Sequence, residues 1–192
     1  MTKAEKTPYT PKELIHWLAA GHRAQFGTQP TPATLKTAYA QCAHETADGR
    51  ALWGHNVANI ACFGKASKWW RGESSCQTLP TQPPRTFRLY TAIAGSLAQV
   101  AGAADYWRLL AARYPAALAA FAAGEPEAAA AALKAGGFYE APLGVYAAAM
   151  RAFFDRAPAP PPTEPPPAAG AASPLAAAAI VGGALWLLAR EL

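Results

Sequence analysis

The chain has 192 residues, enough for one domain of ordinary size with its own core but not for two catalytic domains. Apolar residues make up 52% of the chain and charged residues only 15%, and much of the apolar fraction is alanine, a strong helix former with little surface to bury. The composition therefore predicts a helical protein and excludes one that is embedded in a membrane along its whole length.

The net charge of +5, from 17 Lys and Arg against 12 Asp and Glu, favours an anionic partner. The basic residues are scattered, without the Lys/Arg runs and interleaved aromatics of a nucleic-acid interface, so we expect no nucleic-acid partner. The histidines show no metal-ligand spacing with acidic residues, and we expect neither a metal nor an organic cofactor. They are His16, His22, His44 and His55.

Three cysteines form no CxxC pair. Cys42 lies in a helical pattern and is predicted to be a core residue. Cys62 and Cys76 flank a loop-rich stretch, where they could form a disulfide in an oxidising compartment or remain two thiols. The sequence leaves both open. Residues 1–11 are polar and charged, so no secretory signal peptide is predicted at this end.

Helix signals begin at residues 10–13 (TPKE), a capping box with proline at the first helical position. Thr31 and Pro32 offer a second helix start, and an apolar stripe continues from there to Gly49. Glu45 lies near the C-terminal end of this second helix, at the edge of the stripe.

Periodicity fades between Gly49 and Pro84, which predicts loops and at most a short hairpin ending in residues 85–90 (RTFRLY). Helical patterns return from about Ala92 to Tyr114, after Pro115, and from Pro126 to the Gly136-Gly137 pair. A last helix carries apolar residues on one face: Leu143, Tyr146, Met150 and Phe153. The predicted fold class is α+β, mainly α, with a small β-hairpin lobe.

The C-terminal part changes character. Eight of the 18 prolines lie between Pro158 and Pro174, so we predict a domain over residues 1–156, a stiff linker over 157–174 and a hydrophobic helix over 175–192. Leu175 to Ala189 is uncharged but shorter than the roughly 20 apolar residues that span a bilayer. It is predicted to dock onto a membrane or a protein partner.

Four stretches follow one another in an order and spacing similar to those of the bacterial glucosaminidases of the flagellar-muramidase type. The resemblance covers about Leu35 to Met150. The stretches are residues 40–46 (AQCAHET), Asn59 with residues 63–65 (FGK), residues 87–90 (FRLY) with Ser96, and residues 137–147 (GFYEAPLGVYA).

This resemblance implies a lysozyme-like domain that cleaves the β-1,4 bond between N-acetylglucosamine and N-acetylmuramic acid in peptidoglycan. Glu45 matches the catalytic glutamate, which must keep its proton near neutral pH and face a groove. The family's second acid lies in a Thr-Glu pair, where this chain has Thr81 and Gln82. The role then falls to Glu73, to Asp48 or to no residue, and in the last case the substrate's own N-acetyl group or C6 hydroxyl would replace it, as in lytic transglycosylases.

Tyr139 matches the family's cleft tyrosine and is predicted to lie near Glu45, with a core position as the alternative. Trp69 and Trp70 are predicted to stack on sugar rings, with packing under a loop as the alternative for one of them. The full set of predicted substrate contacts is Asn59, Phe63, Gly64, Trp69, Trp70, Tyr90 and Tyr146.

A rival function is a catalytically silent wall-binding module or a structural component of a virion or tail. Peptidoglycan lies outside the cytoplasm and no signal peptide is predicted. The sequence analysis therefore favours delivery by a phage or phage-tail-like particle, or release through a holin. The C-terminal segment would then contact a membrane or a virion or tail partner.

Overall fold

The computed structural model of the protein describes residues 6–72, 75–79, 85–90 and 97–161. Within them lie six helices and one two-stranded antiparallel sheet, which confirms the prediction of a mainly helical α+β domain with a small hairpin. The elements are α1 (Pro11–Phe26), α2 (Pro32–Glu45), β1 (Cys76–Leu79), β2 (Arg85–Arg88), α3 (Leu97–Arg113), α4 (Pro115–Ala123), α5 (Pro126–Ala135) and α6 (Leu143–Asp155).

The first two helices begin where the caps predicted. The Thr10 hydroxyl accepts a hydrogen bond from the Glu13 backbone N–H at 3.2 Å, and the Glu13 carboxylate accepts one from the Thr10 backbone N–H at 2.7 Å. These bonds satisfy amide groups that have no partner within the helix. Thr31 caps α2 in the same way, through the Thr34 N–H at 3.1 Å.

The second helix ends at Glu45, before the predicted limit at Gly49. The next residues leave the helical conformation, because Ala47, Asp48 and Gly49 all have positive φ angles. An apolar stripe cannot reveal this stop, because the stop depends on backbone bonds. The chain turns sharply just after Glu45.

The core lies between α1, α2 and α3, with α6 against α2. Gly21 lets α1 and α3 approach closely, because a Cβ atom at this position would lie 2.5 Å from the Ala103 Cβ. Large buried side chains fill the space around this crossing: Leu14, Leu18, Tyr39, Tyr106, Trp107 and Phe121.

The hairpin pairs β1 with β2 in the register Cys76 to Arg88 through Leu79 to Arg85. A disulfide joins Cys76 to Cys62, with their Cα atoms 6.0 Å apart, and this decides the alternative that the sequence left open. Cys42 is a buried free thiol, as predicted. The disulfide therefore fixes the loop before β1 onto the hairpin.

None of the helices in the described ranges is long and apolar enough to span a bilayer. The predicted hydrophobic helix over 175–192 and the linker from residue 162 onward lie outside those ranges. Residues 157–161 follow α6 without helical structure, and Ala157 packs against the core.

The contribution of the disulfide to the free energy of unfolding can be measured. Closing a loop of this length lowers the entropy of the unfolded chain, and its loss should reduce the free energy of unfolding by about 3 kcal/mol. Denaturant unfolding with and without dithiothreitol measures the effect. A Cys62→Ser/Cys76→Ser variant is the control, because reductant should not change its stability. An equal response to reductant in both proteins would contradict the assignment.

Candidate active site

Glu45 is placed at the last position of α2, where its carboxyl group is only partly exposed. The Tyr146 hydroxyl, from α6, donates a hydrogen bond to Glu45 Oε1 at 2.6 Å. Burial raises the pKa of the Glu45 carboxyl above its ordinary range, and the bond from Tyr146 opposes part of that rise. The negative end of the helix dipole also disfavours an anion here. Glu45 therefore holds its proton to higher pH than a solvated glutamate does.

The end of α2 is fixed by polar contacts around Glu45. The Thr46 hydroxyl donates to the Cys42 carbonyl at 2.7 Å and accepts from the Gly49 N–H at 3.0 Å. The Asn59 side-chain amide donates to the Glu45 carbonyl at 2.5 Å, and Asn59 itself is left-handed with φ 48°. Asparagine tolerates this conformation better than most residues. These contacts explain why a threonine follows Glu45 and why an asparagine comes fourteen residues later.

Asn59 was predicted to contact substrate, and its amide is engaged instead with the helix end. Such a bond satisfies a carbonyl group that has no partner within α2. Asn59 thus positions Glu45 through the backbone.

Two tyrosines stack beside Glu45. The rings of Tyr139 and Tyr146 are nearly parallel, with centroids 3.6 Å apart. The Tyr139 hydroxyl donates to the Ala130 carbonyl at 3.0 Å, whereas the Tyr146 hydroxyl is the one that reaches Glu45. Tyr139 was predicted to lie near Glu45; it stacks on Tyr146, and the hydrogen bond to the carboxyl comes from Tyr146. Tyr139 supports the ring of Tyr146, and the edge of His44 packs on it too.

The stretch at residues 87–90 builds a second polar cluster, around Asp105 of α3. Arg88 and Tyr90 each donate to Asp105 Oδ2 at 2.6 Å, and Arg108 donates to Oδ1 at 2.7 Å. Tyr90 is only 1% exposed, so it cannot contact a substrate in this conformation, and the prediction for Tyr90 is corrected. Paired and hydrogen-bonded charges of this kind are tolerated inside a protein, whereas a single one is costly.

Trp70 also belongs to this cluster. It is 1% exposed, its indole N–H donates to the Ser75 carbonyl at 3.2 Å, and the Arg88 guanidinium lies 4.1 Å from its ring centroid. Packing under a loop, the alternative for one of the two tryptophans, is therefore the position of Trp70. Trp69 is partly exposed and donates from its indole N–H to Gln25 at 2.8 Å.

Phe63 and Gly64 remain at the surface. Phe63 is 37% exposed, and its carbonyl accepts from Arg88 at 2.6 Å. Gly64 is exposed and left-handed, with φ 88°, which glycine adopts without strain. Among the predicted substrate contacts, Phe63, Gly64 and Trp69 keep the exposure that such a role needs.

Of the candidates for a second acid, Asp48 lies within the described residues and Glu73 does not. Asp48 accepts a hydrogen bond from the Tyr39 hydroxyl. It lines a pocket of about 410 Å³ to which Glu45 does not contribute; the other lining residues are Thr10, Pro11, Lys12, Tyr39, Arg156 and Pro158. Glu73 and Gln82 lie outside the described residues. In the part of the chain that is described, His, Cys, Asp and Glu form no group of three that could hold a metal ion.

Sequence reasoning missed two residues of these clusters. Gln41, one helical turn before Glu45, is fully buried and accepts a hydrogen bond from Tyr106. Its spacing of four residues from Glu45 on a helix was a signal that could have identified it. Asp105 follows residues 101–104 (AGAA) and gave no such signal.

A partly buried carboxylic acid next to a hydroxyl donor can act as a general acid, because burial favours its protonated form and the hydroxyl stabilises the anion that forms when the proton leaves. Comparison of the chain with protein-family models, curated proteins and solved structures gives no match.

The two tyrosines can be told apart by substitution. Tyr146→Phe removes the hydrogen bond to the carboxylate form, so the pKa of Glu45 should rise further. Tyr139→Phe keeps the stacked ring and should leave that pKa close to its wild-type value. Carbon-13 NMR titration of labelled glutamate side chains, assigned with Glu45→Gln, measures both. Equal pKa values in wild type and Tyr146→Phe would contradict the assignment.

The raised pKa of Glu45 predicts how stability depends on pH. The native state holds this proton more tightly than the unfolded state, so the stability it contributes is present below the ordinary glutamate pKa of about 4.3 and is lost as pH rises through the native value. Glu45→Gln cannot ionise, so its melting temperature should exceed that of the wild type at pH 7. The two should converge at a pH of about 3.5. A variant that is less stable at pH 7 would be evidence against a buried acid.

Proposed function

We propose that this protein is a peptidoglycan hydrolase of lysozyme-like fold that cleaves β-1,4 glycosidic bonds of the glycan strands, with Glu45 as the general acid. The observation that carries the proposal is the contact between Tyr146 and Glu45. It combines a raised carboxyl pKa with a hydrogen-bond donor, and the two residues are a hundred and one positions apart in the chain.

The meeting of separate stretches supports the proposal. Residues 40–46 carry Glu45, Asn59 donates to its backbone carbonyl, and Tyr146 of the 137–147 stretch donates to its carboxyl. These are stretches on which the resemblance to glucosaminidases rests. A resemblance by chance gives no reason for them to converge on one residue, Glu45.

The proposed reaction starts with proton transfer from Glu45 to the glycosidic oxygen, and the bond from that oxygen to the anomeric carbon breaks. The anion left on Glu45 is stabilised by the Tyr146 hydroxyl. The cation that develops at the anomeric carbon must then be captured by an oxygen nucleophile, which is water, the N-acetyl carbonyl oxygen of the substrate or its C6 hydroxyl.

A lytic transglycosylase is the second candidate function. It is favoured by the contacts of Asp48, the acid closest in sequence to Glu45: Asp48 accepts a hydrogen bond from Tyr39 and lines a pocket to which Glu45 does not contribute. The C6 hydroxyl of the substrate would then take the place of water. Its product is an anhydro sugar, whereas hydrolysis leaves a reducing end.

The disulfide between Cys62 and Cys76 supports action outside the reducing cytosol, because such bonds persist in oxidising compartments. It agrees with the proposed delivery to the wall by a phage or phage-tail-like particle, or through a holin. The predicted C-terminal segment remains the proposed contact with a membrane or particle.

Lysis of purified sacculi tests the function. Glu45→Gln should reduce turbidity clearing by at least about a hundredfold, because it removes the proton donor with little change of volume. Glu125→Gln is the matched control, since Glu125 is exposed in the turn before α5, and its activity should equal that of the wild type.

Residual lysis by Glu45→Gln within tenfold of wild type would overturn the assignment of the acid. No lysis by the wild-type protein, with intact binding to sacculi, would favour the silent wall-binding module. Mass spectrometry of the muropeptides then separates the two reactions, because anhydro ends indicate the transglycosylase and reducing ends identify the hydrolysed bond.

A further inference from the structure

Gln41 has an unused hydrogen-bond donor in the interior of the protein. Its side chain is fully buried, and its Oε1 accepts from the Tyr106 hydroxyl at 2.5 Å. Its Nε2 is buried and has no acceptor in hydrogen-bonding geometry. Buried amide groups are nearly always paired, so this donor needs an acceptor among its neighbours.

The Tyr146 hydroxyl oxygen is an acceptor that this donor can use. Burial and the neighbouring Glu45 raise the pKa of Tyr146, and the Gln41 amide opposes that rise as a hydrogen-bonding neighbour. Gln41 and Glu45 are four residues apart on α2, so they share one face of the helix, the face that Tyr146 covers.

The direction of each bond follows from the number of protons available. The Tyr106 proton occupies the carbonyl oxygen of Gln41, so the amide can offer only N–H groups to Tyr146. A hydroxyl has one proton, and an oxygen that receives the Gln41 N–H directs its own proton to Glu45 Oε1. If the Gln41 amide were flipped so that its oxygen faced Tyr146, the Tyr146 hydroxyl would donate to Gln41. The protonated Glu45 carboxyl would then donate its own proton to the Tyr146 oxygen.

We propose that Gln41 is a positioning residue that, oriented by Tyr106, directs the Tyr146 proton to Glu45 Oε1 and so keeps the acid proton of Glu45 on Oε2. This inference rests on the proposed function. Within the described residues no protein group is hydrogen-bonded to Oε2, which leaves that oxygen to the substrate. When Glu45 gives up its proton, the Gln41 N–H strengthens the bond from Tyr146 to the new anion, because linked hydrogen bonds polarise one another.

Other groups around Glu45 bear on its proton. From α2 these are Cys42, whose thiol pKa is raised by burial, and His44, whose pKa is lowered by burial. From α3 there is Tyr106, and from α6 Tyr146, both with pKa values raised by burial. Of these two tyrosines, Tyr146 is the one whose hydroxyl is hydrogen-bonded to the Glu45 carboxyl in the described structure.

Gln41→Met tests the inference, because methionine keeps the volume and loses both polar atoms. The pKa of Glu45 should rise, since its anion loses a well-oriented donor, and kcat for sacculus lysis should fall by about tenfold with KM nearly unchanged. Thr37→Val is the matched control: Thr37 is buried one turn earlier on α2 and bonds only to the Ala33 carbonyl in the described network. Both of its readouts should match the wild type.

The pH dependence of activity in a Gln41→Glu variant distinguishes a positioning role of residue 41 from a structural one. A protonated carboxyl can accept from Tyr106 and donate to Tyr146, as the amide does, whereas an ionised one can only accept. The activity of this variant should be close to that of the wild type at low pH. As the pH rises, the variant should lose its activity at a lower pH than the wild type does. A profile like that of Gln41→Met at every pH would overturn the proposal.

The NMR arm separates this inference from the proposed function. If the wild type does not lyse sacculi, the function fails, yet the pKa of Glu45 still reports on the network. Tyr106→Phe serves if Gln41→Met does not fold: it should raise the pKa of Glu45 without touching the carboxyl. An unchanged Glu45 pKa in Tyr106→Phe, or in a folded Gln41→Met, overturns the role of Gln41.

Discussion

The C-terminal end of α2 imposes the constraint on which the site depends. A helix end leaves backbone carbonyls without partners, and here it also carries a carboxyl group that is partly removed from water. The carbonyl of Glu45 is satisfied by Asn59 and the carboxyl by Tyr146. Each contact comes from a different part of the chain, so the helix end is stable only when the loop and α6 are both in place.

The buried carboxylate of Asp105 holds the loop and the hairpin in place in a comparable way. Asp105 binds Arg88 of β2 and Arg108 of its own helix, and Tyr90 supplies a further donor. Burial alone would raise the pKa of Asp105. The hydrogen bonds from Tyr90 and Arg108 and the charges of Arg88 and Arg108 outweigh this effect and lower the pKa below its ordinary value. The domain therefore holds one acid ionised at Asp105 and favours the protonated form of another at Glu45, because only the first has cationic partners.

This contrast divides the four stretches on which the proposed relation to the glucosaminidases rests. The stretch at residues 87–90 is used for structure: Arg88 and Tyr90 are buried around Asp105, with Trp70 stacked on the guanidinium. The stretches around Glu45, Asn59 and Tyr146 meet at Glu45, where Asn59 binds the backbone carbonyl and Tyr146 the carboxyl that we propose as the acid. Similar sequence at the four stretches thus does not mean that all of them face the substrate.

Local signals in the sequence were enough to determine the helix starts at Pro11 and Pro32 and a hairpin strand within residues 85–90, because caps and turns act over a few residues. The motif singled out Glu45 as the acid, and that role stays a proposal. Tertiary structure decided the roles of the tyrosines and of Trp70, the pairing of Cys62 with Cys76 and the partners of Asp105. The reason is physical: burial and hydrogen-bond partners come from chain segments that are distant in sequence, and residue type alone does not specify which hydroxyl reaches which carboxyl.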